Sequence, residues 1–148
     1  MRKHMTILEE IRRDHERAKA LLETIVEGHD NDARLDAFKE FSSLISAHNQ
    51  AETEILYRAM EKNEESRFIA LEGEEEHDVA DRLLESLKKS SSKTSDRWLA
   101  RAKVLKELLE HHVEEEEDEA FDKAEEVFSR EELEAMGGKF TARKKELM

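Results

Sequence analysis

The chain has 148 residues, 43% of them charged, with a formal net charge of −13 and no cysteine. So acidic a surface repels nucleic acid and anionic membranes, and a chain without thiols has no disulfide, thiolate metal site or cysteine redox chemistry. Leu, Ile, Val and Phe supply only 33 residues, so a fold forms only if nearly all of them gather into regular buried stripes.

Proline is absent, glycine occurs four times, and no strand-like alternation appears, which predicts an all-α protein. Without a leader-like segment or a run of 18 apolar residues, the expected location is cytoplasmic. A first helix is predicted over about residues 6–26. Thr6 is its N-cap, and Glu9 three residues later completes a capping box. The stripe Ile7, Ile11, His15, Ala18, Leu22, Ile25 advances by threes and fours and puts His15 on the buried face. Gly28-His29-Asp30-Asn31-Asp32 is a turn with a new N-cap.

The second helix is predicted over about 33–62, with an inward stripe of Phe38, Phe41, Ile45, His48, Glu52, Ile55 or Leu56, and Ala59. The third follows Asn63 to about Lys89, through Ala70, Gly73, His77, Ala80, Leu84 and Leu87. After the polar stretch Ser90 to Ser95, the fourth spans about 96–128. Its stripe is Trp98, Ala102, Leu105, Leu109, His112, Glu116, Ala120 and Val127. Ser129 and Glu132 cap a short last segment, expected to break at Gly137-Gly138 and to pack across one end. Four long helices with short connections predict an up-down-up-down four-helix bundle. It forms a single domain over 1–148, with its core over 5–128 and a C-terminal segment over 129–148.

Two helices carry the same phrase, His48-x-x-x-Glu52 and His112-x-x-x-Glu116. Residues four apart share a helix face. Counting back from each turn sets His15, His48, Glu52, His77, His112 and Glu116 in one layer, with offsets of roughly 6 Å at 1.5 Å rise per residue. A lone histidine on an apolar stripe is commonly a satisfied core residue. A buried ionised glutamate costs several kcal/mol unless it is paired, protonated or bound to metal. Coordination removes that cost for all six groups, and nitrogen with carboxylate and no sulfur suits iron, manganese or zinc. Two carboxylates at the level of the histidines suit two ions, with positions left open for oxo or hydroxo, O2, NO or peroxide.

Within His111-His112, the track through His112 reaches Glu116, Ala120 and Ala124, which are buryable. The track through His111 reaches Glu115, Asp118 and Asp122, which are solvated, as is most of the run Glu114 to Glu117. Asp81, four residues after His77, either reaches the layer or faces outward. His4 and His29 have no assigned role.

Asp14-His15, His48-x-x-x-Glu52 before Ile55-Leu56-Tyr57, Glu76-His77-Asp78, and His111-His112-x-x-x-Glu116-Glu117 before Phe121 resemble the haemerythrin-like HHE cation-binding family. The resemblance covers about residues 5–128 of the chain. An aromatic nine residues after the histidine occurs in both phrases, Tyr57 and Phe121, which favours His112 over His111. The resemblance implies a four-helix bundle with a non-haem di-iron centre, oxo- or hydroxo-bridged. Its ligands would be His15, His48, Glu52, His77, His112 and Glu116, with both glutamates bridging. It implies binding or sensing of O2, NO or peroxide, or their turnover, and leaves a protein partner open.

Three features depart from the oxygen-carrying members. Asp81 stands where they have a further histidine, the last helix has His-x-x-x-Glu rather than His-x-x-x-x-Asp, and Arg58 and Asp122 replace the usual prolines. The first two favour a more open centre than a reversible oxygen carrier has. The third predicts that both helices run on unbroken. Tyr57 and Asp81 are candidates for proton transfer if the centre turns over peroxide or NO. A metal-free interaction module, its histidines and glutamates merely paired, is the reading from another class.

Overall fold

The computed structural model describes residues 4–148. It is all-α, with no strand among the described residues and no helix long and apolar enough to cross a membrane. Helix α1 is Ile7–Glu27 and begins in the expected Thr6–Glu9 capping box. The Asp30 side chain caps α2, Asn31–Glu52, which continues through a π-turn at Thr53–Tyr57 into α3, Arg58–Glu61. Asn63 caps α4, Glu64–Lys89, and Ser95 caps α5, Asp96–Glu115. A second π-turn, Glu116–Ala120, leads into α6, Phe121–Val127, and the Ser129–Glu132 capping box opens α7, Arg130–Leu147.

Two apolar clusters bracket a polar layer. One gathers Leu22, Ile25, Phe41, Leu84, Leu87, Trp98 and Leu105 from the α1 C-terminal half, α2, α4 and α5. The other gathers Ile7, Ile11, Leu56, Met60, Phe121 and Phe140 from the α1 N-terminal half, α3, α6 and α7. Between them lie the buried polar residues Asp14, His15, His48, Glu52, His77, His112 and Glu116. Apolar packing above and below keeps water out of the layer, where charge–charge interactions are strong.

Two expectations are corrected. The last segment does not break at Gly137-Gly138: α7 is continuous over 18 residues, and no glycine takes a positive φ. A Cβ at Gly137 would lie 2.5 Å from the Met5 carbonyl oxygen, so glycine permits a close helix approach there rather than a break. Nor does α7 merely cross one end: it lies along α1 and α2 and carries Phe140 and Lys144 to the polar layer.

The inward stripe also slips by one residue after Glu52. Ala59 is only half-buried, and Tyr57 and Met60 are buried. The cause is the π-turn, in which the Arg58 N–H reaches back five residues to the Thr53 carbonyl. Each such turn inserts one residue into the helical count. Both helices do run on without a break, but through these widened turns rather than as regular α-helix.

Candidate metal centre

All six stripe residues converge. Glu52, with no exposed surface, places Oε1 3.4 Å from His48 Nε2 on its own helix and 3.0 Å from His77 Nε2 on α4. Glu116 places Oε1 3.2 Å from His15 Nε2 and Oε2 3.6 Å from His112 Nε2. The rings pair off: His15 and His48 have centroids 5.3 Å apart, His77 and His112 4.9 Å. Each glutamate therefore spans one histidine of each pair. Donor atoms of Glu52, His77, His112 and Glu116 lie within 4.8 Å of one another, a spacing that can hold a metal ion.

The other ring nitrogens point away from this centre and are held. His48 Nδ1 donates to Asp14 Oδ2 at 2.7 Å, His15 Nδ1 to Glu117 Oε2 at 2.8 Å, and His112 Nδ1 to Glu76 Oε1 at 2.6 Å. His77 Nδ1 lies 3.1 Å from Thr53 Oγ1. A carboxylate can only accept, so Nδ1 of His15, His48 and His112 carries a proton, and loss of the Nε2 proton, as on binding a cation, would turn a lone pair inward. Every supporting acid stands beside a stripe residue in sequence yet serves a histidine on a different helix. Asp14 adjoins His15 but holds His48, Glu76 adjoins His77 but holds His112, and Glu117 adjoins Glu116 but holds His15.

Helix α7 adds to this support. Lys144 Nζ donates to both Asp14 oxygens, at 2.7 and 2.8 Å, and the Phe140 ring stands edge-on to His48 at 5.5 Å. Tyr57, fully buried against His77, donates its hydroxyl hydrogen to Glu116. The sequence reading missed Glu76, Glu117, Thr53, Phe140 and Lys144. The acids had one legible signal, adjacency to a stripe ligand; the α7 residues had none. The run Glu114 to Glu117 is not simply a solvated face, because Glu116 is buried and Glu117 is half-buried on His15. Asp81 lies aside, accepting from Asn49 at 3.2 Å. His4, His29 and His111 are exposed.

The layer is built for positive charge. Burial opposes protonation of His15, but the Glu116 carboxylate beside it and its hydrogen bond to Glu117 overcome this and push it up to about 10. Burial likewise opposes protonation of His112, yet the Glu116 charge and the Glu76 hydrogen bond push it up to about 9. Burial would raise Glu52, and the His48 and His77 rings close beside it instead hold it well below the usual carboxylate range. Burial pushes the Tyr57 phenol well above its ordinary value, with the Glu116 charge adding to it.

Yet both Glu52 oxygens, Glu116 Oε1, His77 Nε2 and His112 Nε2 are buried without a hydrogen-bond partner. These atoms approach within 3.0–3.6 Å without forming hydrogen bonds to one another. Unsatisfied buried charges cost several kcal/mol, and a cation held among these donors would satisfy them. The donor chemistry fits a transition metal.

Fold and site together define a helical cation-binding protein with a buried His/Glu cluster. The chain belongs to the Hemerythrin HHE cation binding domain family, whose model matches residues 6–124. No curated protein and no solved structure matches it. The matched span ends within α6, so α7 lies outside it.

Proposed function

We propose that the chain is a non-haem di-iron protein of haemerythrin-like type, folded as one up-down-up-down bundle over 1–148. It takes a small diatomic molecule, O2 or NO, or peroxide. The observation that carries this reading is the set of unpartnered atoms on Glu52, Glu116, His77 and His112 in a dry layer. In this reading His15, His48, His77 and His112 with Glu52 and Glu116 would hold the two ions, which would supply open positions for an external ligand. Manganese or zinc would suit the same donors. The iron pair supplies the ligand-binding positions and the electrons. Asp14, Glu117, Glu76 and Thr53 orient the four imidazoles, and the two apolar clusters exclude water.

Metal analysis and an optical spectrum, taken in air, after reduction and after readmission of O2, test the reading. We expect two iron per chain, a di-iron chromophore that responds to O2, and a higher melting temperature. Free metal 1,000-fold above its Kd stabilises by about 4 kcal/mol. Iron far below two per chain, with no change in melting temperature on adding iron, would overturn it. The metal-free interaction module predicts that second outcome.

One observation favours a second reading, turnover of peroxide or NO at the same centre: Tyr57 sets a buried hydroxyl proton on Glu116. Tyr57→Phe would then abolish turnover while leaving the iron content intact. Unchanged turnover in that variant would remove the tyrosine from the chemistry.

A further inference from the structure

We propose that Glu76, His111 and Glu115 form a second, outer site for a hydrated divalent cation, and that this site loads the buried centre. The inference rests on the reading of the buried cluster as a metal centre. His111 Nε2 lies 2.9 Å from Glu115 Oε2 one turn along α5, and Glu76 joins them from α4. The three donor atoms lie within 4.8 Å of one another. One imidazole and two carboxylates at a half-exposed position suit a first-row divalent ion that keeps part of its water shell.

Glu76 belongs to both sites. While it faces the outer pair, its Oε1 holds His112 Nδ1 at 2.6 Å. A crevice runs inward beside it, with Glu72, Glu76 and Glu115 at the rim and Tyr57, His112 and Glu116 within. His112 and Glu116, only 5% and 3% exposed, line this crevice and also carry unpartnered atoms of the buried centre. The void between is about 10 Å³, barely one water-sized sphere. A hydrated ion does not drift through it, so a carboxylate must pass the ion inward, and Glu76 is the one that belongs to the outer trio and also touches a buried ligand, His112.

The surrounding charge favours this face over the other. A groove of about 590 Å³ leads to the rim, sharing Glu72 and Glu115 and adding Glu65, Asp122 and Glu126, with Lys123 as the one cation lining it. Across the molecule the acids beside the centre are already neutralised. Lys144 binds Asp14, Arg12 lies 3.6 Å from Glu117, and Arg143 binds Glu54. Clefts lined by one sign of charge raise the local concentration of the opposite ion and speed its association. The α4/α5 face is thus the one that collects cations.

The test loads the metal-free full-length chain with Fe²⁺ under anaerobic conditions, removes free metal with a fast chelator at set times, and counts bound iron. Equilibrium dialysis with Mn²⁺ counts weak sites. Compared with wild type are His111→Ala with Glu115→Gln, neither residue being in the buried cluster, and Glu131→Gln on α7 as a control for lost surface charge. We expect the double variant to lose one weak Mn²⁺ site and to fill the centre about tenfold more slowly. Its final iron content and loaded melting temperature should match wild type, and Glu131→Gln should load normally. Equal filling rates and equal Mn²⁺ counts in wild type and double variant would overturn the inference. A wild type that holds no iron in its centre overturns the proposed function instead, and the Mn²⁺ count still decides the outer site.

Discussion

Replacing Phe140 with alanine asks whether α7 holds the His48 side of the centre or only lies against it. Phe140 has no exposed surface, stands edge-on to the His48 ring at 5.5 Å and 87°, and lies 5.2 Å from the Lys144 ammonium at its ring centroid. Removing a fully buried phenylalanine costs about 3–5 kcal/mol through lost transfer energy and the cavity left behind. In a chain of this length each kcal/mol moves the melting temperature by about 2–4 °C, so the metal-free variant should melt roughly 6–20 °C lower. With total stabilities of about 5–15 kcal/mol typical, it should still be largely folded at 25 °C. Circular dichroism melts of wild type and variant, metal-free, read the cost. Iron content at limiting metal reads whether a His48 freed on one side binds less well. Lys144→Met is the companion: it keeps the buried stem and removes only the charge that Asp14 leans on. A melting temperature lowered by less than about 3 °C, under 1–2 kcal/mol by the same scaling, with unchanged iron content in both variants, would refute the argument.

Two further outcomes are expected. His15 at about 10 and His112 at about 9, against 6.5 when unfolded, give stability that is fully present below pH 6.5 and lost as pH climbs through 9 and 10. Glu52 and Asp14, both held low, act in the opposite window and lose their contribution only as pH falls below the usual carboxylate range. Urea midpoints of the metal-free protein should therefore fall from pH 6 to 10, and a flat or rising series would contradict this. Gly73→Ala sets a Cβ 2.6 Å from Tyr57 Cζ and should cost about 1–3 kcal/mol by displacing the ring. Because Tyr57 is the chain's one tyrosine, absorbance near 295 nm reads it directly. It should titrate well above 10 in wild type and nearer 10 in the variant, and identical titrations would show that the ring had not moved.

The helices were legible because a chain poor in apolar residues has to place them at 3.6-residue spacing, and every stripe residue of α1 and α4 is indeed buried. The six polar residues were legible for the converse reason: charge on an apolar stripe is costly and calls for a partner. The supporting layer was hidden because hydrogen bonds between helices leave no periodic trace. Asp14, Glu76 and Glu117 read like any other acids in a chain with 38 of them. The course of α7 was misread for a related reason. Gly137-Gly138 has the composition of a break, but whether a glycine breaks a helix or lets another backbone approach is decided by what lies opposite, here Met5.

The two π-turns set which side chains reach the centre. Both begin at the residue after the glutamate of the repeated phrase or at that glutamate, Thr53 and Glu116. In a regular α-helix the residue five after the glutamate would sit about 140° round the helix from it. The widened turn brings that residue back to the glutamate's own side, so Tyr57 and Phe121 are both buried. Such turns inside α-helices are frequent at functional sites, and here one follows each repeated phrase, offset by one residue between the two helices. The two aromatics differ by one hydroxyl oxygen. Tyr57 lies against His77 and donates to Glu116, while Phe121 has no polar group and sits under Arg12, whose guanidinium carbon is 4.9 Å from the ring centroid. In the proposed di-iron reading, the repeat is thereby made asymmetric, with a phenol proton donor on the His77 and His112 side. Ligand chemistry that consumes protons is therefore favoured on that side, beneath the crevice that the α4/α5 acids surround.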